Sequence, residues 1–309
     1  MATVLISGGT GLVGTALTKE LLNRNYEVVI LTRSPEKYSS ATSRLSYAKW
    51  NVEEQVIDKD TLAKADHIIH LAGENVGDKR WIKKRKKQIV ESRTLTSALL
   101  VKALKEAPNN VKTVVSASGI GWYGEQKSSD PFVEIDSPAE DFLGQTCKQW
   151  EESVEPVTGL GRRLVKLRTG MVLSNEGGAL DEFKKYLRFG IATILGNGKQ
   201  VVSWIHIDDL VRIYIHALEN ESLYGAYNAV APYPVTNKTF VLELAKKVKG
   251  RFFIPVYVPS FVLKIILGEM SIEVLKNATV SCEKIKQAGF SFLYPSVTSA
   301  FTELFLAIR

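Results

Sequence analysis

The sequence predicts an α/β protein built on a doubly wound parallel sheet, with a smaller, mostly C-terminal lobe beside it. Three observations carry that expectation. Short apolar strands and amphipathic helices alternate through the first half of the chain. The first strand runs into a turn of regularly spaced glycines that opens a helix. No linker, repeat or low-complexity stretch interrupts the 309 residues, enough for one large domain or two small ones.

The first strand is Val4-Leu5-Ile6-Ser7, and Gly8-Gly9-Thr10-Gly11-Leu12-Val13-Gly14 follows it. Val13, Leu17 and Leu21 then recur every four residues, the apolar stripe of a helix. Val28 to Leu31 forms a second strand that ends at Thr32-Arg33. Strand, glycine turn, helix and strand make a Rossmann-type unit, which seats a pyrophosphate on a helix N-terminus. In it Gly8 turns the chain off the strand, Gly11 lets the backbone approach a phosphate, and Gly14 allows close helix packing. Thr10, Leu12 and Val13 complete the expected phosphate contacts. A site for NAD wants a carboxylate at the end of the second strand, to accept from the ribose 2′-hydroxyl. Thr32-Arg33-Ser34 stands there instead. A guanidinium cannot accept, but it pairs with a 2′-phosphate, so the expected cofactor is NADP(H).

A polar loop from Ser34 to Ser46 follows, then a buried strand from His67 to Leu71 that ends at Ala72-Gly73. Small residues there let an adenosine lie against the backbone, which adds Leu71, Ala72 and Gly73 to the cofactor residues. A long helix carries Ile82, Ile89, Leu95, Leu99 and Leu104, and places Arg93 toward the same cleft. Lys112 to Ser116 is the next strand, Trp150 to Val154 lies on a helix, and Leu164 to Arg168 is a strand. Arg168, at that strand's end, is positioned to meet a phosphate or an anionic substrate. In the second half Ile205 to Ile207 is a short strand, and Asp208 or Asp209 caps the helix of Val211, Ile215 and Leu218. Thr236 caps a further helix, and Arg251 to Val258 reads as an edge strand because of Pro255 and Pro259. Residues 1–170 form the expected nucleotide-binding core, with 200–230 returning to it. Residues 171–199 and 231–309 form the substrate-side lobe.

Composition excludes several classes. Two cysteines make no disulfide framework, and four scattered histidines make no zinc motif. The net charge of +7 suits an anionic ligand. Lys79 to Lys87 contains seven basic residues. With no nucleic-acid motif beside it, it reads as a solvated helix face with Ile82 and Ile89 turned inward. The N-terminus enters a strand at once, without a signal peptide, and no apolar run reaches membrane-span length. The expectation is a cytoplasmic protein that meets a small-molecule substrate, not a nucleic acid or a membrane. The oligomeric state stays open.

The glycine triplet, Leu71-Ala72-Gly73-Glu74-Asn75, Ser116-Ala117-Ser118-Gly119, Trp122-Tyr123-Gly124, Leu167-Arg168-Thr169-Gly170 and Trp204 to Asp209 occur in one order. That order resembles the extended short-chain dehydrogenase/reductase superfamily. More narrowly it resembles the epimerase-like family of nucleotide-sugar epimerases, of the NAD-dependent epimerase/dehydratase type. Lys79-Arg80-Trp81, Gly225 to Ala231 and Leu267-Gly268-Glu269-Met270 add to the likeness, which spans essentially the whole chain. The superfamily's chemistry uses a tyrosine acid/base with a lysine four residues on, and a serine that orients the substrate oxygen. No Tyr-x-x-x-Lys lies between Gly124 and Glu155; the tyrosine slot falls on Leu143 and the lysine slot on Cys147. Lys148 points about 100° away on the helix. Ser118 and Tyr123 are then the candidates for passing a proton, and a buried aromatic is the competing reading for Tyr123. His206 reads as a hydrogen-bonded structural histidine. The resemblance implies an NADP(H)-binding oxidoreductase or epimerase-like protein acting on a small polar substrate, nucleotide-linked ones included. The alternative is a noncatalytic NADP(H)-binding protein or sensor.

Overall fold

A computed structural model describes residues 1–40 and 42–306. Its centre is an eight-stranded sheet. β1 (Thr3–Ser7), β2 (Glu27–Thr32) and β3 (Leu45–Asn51) run parallel to one side, and β4 (Val56–Ile57) closes that edge antiparallel. The chain then returns to the other side of β1 with β5 (His67–His70), β6 (Thr113–Gly119) and β7 (Arg163–Thr169), all parallel. The strand Gly225–Ala229 pairs with β7 and forms the far edge. The direction of strand order reverses between β1 and β5, and a doubly wound sheet opens its ligand crevice at such a point.

Strand alternation divides the core. Val4 and Ile6 face α1 (Leu12–Asn23) and the helix Ile207–Glu219. Leu5 faces the opposite layer, made by α2 (Lys59–Lys64), α3 (Lys83–Glu106), α4 (Phe142–Val154) and α5 (Pro156–Gly159). A third apolar cluster, with Trp204, Phe240 and Phe301 among its members, sits under the strand Ile191–Leu195 and the helices Ala179–Leu187, Asn237–Lys249 and Val297–Leu306. Val280, Cys282, Ile285 and Phe290 return to the first cluster, so part of the C-terminal segment packs on the sheet layer. No helix among the described residues is long and apolar enough to cross a membrane.

The doubly wound parallel sheet expected from the sequence is present. Several local expectations are corrected. The loop from Ser34 to Ser46 gives way at Leu45 to β3, whose mixed sequence pairs beside β2. Ile82 caps α3 and is exposed, not turned inward. Arg85, from the basic run, is buried by Glu74 and the Asn75 carbonyl. The helix Ile207–Glu219 is capped by the His206 ring, whose Nδ1 accepts from Asp208 N. Asp209 accepts instead from the backbone N–H groups of Leu293 and Tyr294 and from Arg212.

Where β1 and β5 end, Ser7 Oγ and His70 Nδ1 lie 2.6 Å apart, and His70 Nε2 lies 3.2 Å from Ser97 Oγ. Burial lowers the His70 pKa from 6.5 to about 4. The unfolded chain therefore takes up this proton first as pH falls. His70 costs nothing above its unfolded value, and stability is lost as pH falls from about 6.5 toward 4. We expect the parent to lose about 2 kcal/mol through His70 between pH 7 and pH 5. Urea unfolding at the two pH values should show that loss shrinking in His70→Gln. An unchanged pH dependence in the variant would refute the assignment.

Candidate cofactor site and active-site wall

The glycine turn is built by exclusion. Gly8 takes φ +73°, and a Cβ there would stand 2.9 Å from the Leu71 carbonyl carbon, so the turn lies against the end of β5. A Cβ on Gly14 would stand 2.5 Å from Gly8 O, which lets the first turn of α1 press on the glycine turn. Gly11 N donates to Gly8 O at 3.1 Å. Gly11 is the N-cap of α1; it offers no side-chain acceptor, and the first turn holds no acidic residue. Beyond Gly11 a Cβ would meet only Gly8 O, at 3.4 Å. The first-turn N–H groups at Leu12, Val13 and Gly14 are thus left to an outside acceptor, with the positive end of the helix behind them. Thr10 is exposed at the lip, and a Cβ on Gly178 would touch Leu12 Cδ2, so the lobe overhangs this turn.

Thr32 and Arg33 follow at the end of β2. Thr32 Oγ1 accepts from Ser34 N at 3.4 Å. Arg33 is exposed and has no ion-pair partner among the described residues. At the end of β5, Arg93 lies along Gly73, where a Cβ would stand 3.2 Å from Arg93 Cζ. Arg93 Nη2 donates to Glu74 O at 2.9 Å, Nη1 to Ile89 O at 2.8 Å, and the guanidinium rests on Trp150. Leu71, Ala72, Gly73 and Arg93 therefore converge on one wall.

The other wall is apolar where proton chemistry is expected. A Cβ on Gly121 would touch Leu143, and one on Gly119 would touch Cys147 Sγ. Cys147 Sγ is 3.6 Å from Gly119 O, and burial pushes the thiol up to about 12. It is neutral at ordinary pH.

Behind this wall Ser118, Arg168 and Asn228 stand in one register across β6, β7 and the strand Gly225–Ala229. Glu151, on α4, meets that row. Arg168 Nε donates to Glu151 Oε1 at 2.8 Å and Nη2 to Oε2 at 3.1 Å, a two-pronged pair in which both residues are at least 95% buried. Ser118 Oγ donates to Glu151 Oε1 at 2.8 Å. Tyr123 OH donates to Asn228 Oδ1 at 2.8 Å and accepts from Arg168 Nη1 at 3.1 Å. Arg168 Nη1 also donates to Glu134 O, and its guanidinium stacks on Trp122 at 3.6 Å. Burial raises the Tyr123 hydroxyl to about 12, with Arg168 pulling the other way.

This placement bears on three sequence readings, and for Tyr123 it agrees with the buried aromatic. Arg168 spends four of its five N–H donors on Glu151, Tyr123 and Glu134, and at 3% exposure it is turned into the wall rather than toward a phosphate. Ser118 and Tyr123 lie inside the wall and serve the same ion pair. Glu151, which organises all three, was missed. Its only sequence signal is its spacing: Leu143, Cys147 and Glu151 are four apart, on one face of α4. His206 is buried, caps a helix and lies against Tyr294. Among the described residues no group of histidine, cysteine or carboxylate side chains could hold a metal.

A model of the NAD dependent epimerase/dehydratase family matches residues 4–146 and 183–229. The chain belongs to this family. A domain of unknown function, DUF1731, matches residues 258–304. The epimerase family protein ML0860 of Mycobacterium leprae is 32% identical over 304 residues, covering 97% of this chain and 95% of the relative. The crystal structure of human epimerase family protein SDR39U1 (isoform 2) with NADPH superposes with a TM-score of 0.86 at 31% identity, covering 98% of both chains. A nucleoside-diphosphate sugar epimerase from Corynebacterium glutamicum is 29% identical with a TM-score of 0.77, covering 98% of this chain and 58% of that one.

This family member thus combines an uncapped helix N-terminus behind an open glycine turn with a wall sealed by a buried ion pair. Removing one partner of such a pair leaves an uncompensated charge. Glu151→Ala should destabilise the fold by about 3–5 kcal/mol, measured by urea unfolding at pH 7. Glu151→Gln, which keeps an acceptor for Ser118, should cost less. A loss below about 1 kcal/mol in the alanine variant would show that Arg168 finds another partner.

Proposed function

We propose that this epimerase-family protein binds NADP(H) across the N-terminus of α1 and works on a small polar substrate, nucleotide-linked compounds included. One observation carries the cofactor reading: the uncapped first turn of α1 and the exposed Arg33, without an ion-pair partner among the described residues, stand at the two places where a pyrophosphate and a 2′-phosphate are recognised. The residues present fit the group. The backbone N–H groups from Leu12 to Gly14 hold the pyrophosphate, with Thr10 at the lip. Thr32 and Arg33 hold the ribose phosphate, and Leu71, Ala72, Gly73 and Arg93 bound the adenosine side. The NADPH of the human relative, which matches 98% of this chain, supports the same assignment.

The nicotinamide supplies hydride transfer when bound. The chain's own part is orientation and the exclusion of water. Leu143, Cys147 and the backbone of Gly119 and Gly121 offer no proton at neutral pH. Ser118 and Tyr123 act as positioning residues that hold Glu151 and Arg168, so a proton in an oxidoreductase or epimerase reaction comes from the substrate's own groups or from water. The second reading, a noncatalytic NADP(H)-binding protein, is favoured by the same apolar wall.

Calorimetry on the parent should give tighter binding of NADPH than of NADH. Arg33→Ala should erase most of the difference, about 1.5–3 kcal/mol for a charge-assisted contact, or roughly ten- to 150-fold in Kd. Equal parent affinities for the two cofactors would sink the assignment. A panel of carbonyl compounds and nucleotide sugars, followed by NADPH absorbance and product analysis, separates the enzyme from the binding protein.

A further inference from the structure

The segment that follows the helix Asn237–Lys249 is exposed to an unusual degree. From Arg251 to Leu267 only Leu263 is buried. The segment forms a strand, Ile254–Val258, and a helix, Ser260–Leu267. The strand pairs on one side with Ile191–Leu195, and the helix keeps little but Leu263 against the body. What it shows to solvent is apolar: Phe252 is 86% exposed, Ile254 69%, Phe261 65%, Ile265 68% and Ile266 58%. Phe189, 81% exposed, belongs to the same surface, because Ile254 N donates to the neighbouring Gly190 O and Lys249 Nζ reaches Arg188 O. Exposed aromatic and aliphatic side chains grouped on one segment in this way mark an interaction site.

Charge identifies the occupant. Between Leu244 and Gly268 the chain carries five cations and no carboxylate; Lys246 is paired with Glu243 just before that stretch, which leaves Lys247, Lys249, Arg251 and Lys264 without a carboxylate partner among the described residues. A second copy docked symmetrically on this face would set cations against cations. Strand pairing to another chain is blunted as well. Ile254 N points to its partner strand, so the outward N–H positions are residues 255 and 257, and residue 255 is a proline. Large apolar side chains beside lysines and arginines, on a short helix and an adjoining strand, match an interface that is hydrocarbon below and anionic above. We propose that this face docks the protein peripherally on an anionic lipid bilayer, with Phe252, Phe261, Ile265 and Ile266 entering the headgroup boundary and the cations meeting the lipid phosphates and carboxylates. This revises the expectation of no membrane partner, which rested on the absence of a spanning run; a peripheral contact needs none.

The test is co-sedimentation of the full chain with vesicles of phosphatidylcholine alone and of phosphatidylcholine with about one third phosphatidylserine. The parent should partition at least tenfold more onto the anionic vesicles, and less in high salt. Two variants separate the contributions. Lys247→Gln with Arg251→Gln should weaken binding at least tenfold, at about fivefold for each charge near an anionic surface. Phe261→Ser with Ile265→Ser should weaken it at low salt too. All four positions lie away from the NADPH contacts, so thermal unfolding and NADPH affinity should match the parent in both variants. No preference for anionic vesicles would overturn the proposal. So would sedimentation velocity showing a dimer that the Phe261 and Ile265 changes dissociate, since the face would then belong to a second copy.

Discussion

Arg168 and Glu151 form the contact around which the carboxyl edge of this sheet is organised. A guanidinium and a carboxylate out of water repay their desolvation only when every remaining donor and acceptor is also satisfied. That requirement recruits Ser118 from β6, Tyr123 and Glu134 from the following loops, and Asn228 from the edge strand. It also fixes α4 over β6 and β7. Asn228 in turn receives Tyr123 and donates to Ser281 O, so the return of the C-terminal segment to the core hangs on the same network. Polar groups this deep specify one arrangement, because any slip of register would strand a charge.

The consequence for function is a division of labour between backbone and side chain. In the proposed reading, recognition at the cofactor end falls to main-chain N–H groups, a helix dipole and glycines that leave room, with an exposed arginine placed to adjust the choice of dinucleotide. At the substrate end, the side chains that superfamily chemistry would use are replaced by Leu143 and Cys147, and the polar residues nearby face inward to the ion pair. A tyrosine whose hydroxyl is pushed to about 12 and shared between Asn228 and Arg168 is a structural hydrogen-bonding group. Its burial and its stacking on Phe132 serve the packing of the wall.

The parts legible in the sequence were those set by short-range rules. A glycine triplet between a strand and a helix allows few conformations, and apolar alternation fixes which layer Val4, Leu5 and Ile6 face. Thr236 was readable as a cap because the N–H its hydroxyl accepts from lies only three residues away, at Thr239. Most of the misread charged residues have partners distant in sequence. Asp209 looks like a cap until residues 293 and 294 claim it. Arg168 looks like a ligand cation until Glu151, 17 residues away, neutralises it. Arg85 looks solvated within its basic run until Glu74 covers it. A charged residue at the end of a strand carries the same local signature whether it faces a substrate or an ion pair.

The lobe over the cleft is tied down by the same kind of bond. Lys276 Nζ donates to Asp141 Oδ2 and to Glu273 Oε1, each at 2.8 Å, and its side chain is 6% exposed. Asp141 is also the N-cap of α4, so one carboxylate joins the helix Ser271–Leu275 to the helix that carries Leu143, Cys147 and Glu151. Separating the two segments would break the Lys276–Asp141 contact while leaving Lys276 with Glu273. Lys276 and Asp141 thus link the C-terminal segment directly to α4. The exposed apolar segment ends within a few residues of that junction, at Leu267. That face is thus connected, through Lys276 and Asp141, to the helix whose side chains Leu143 and Cys147 stand against Gly121 and Gly119.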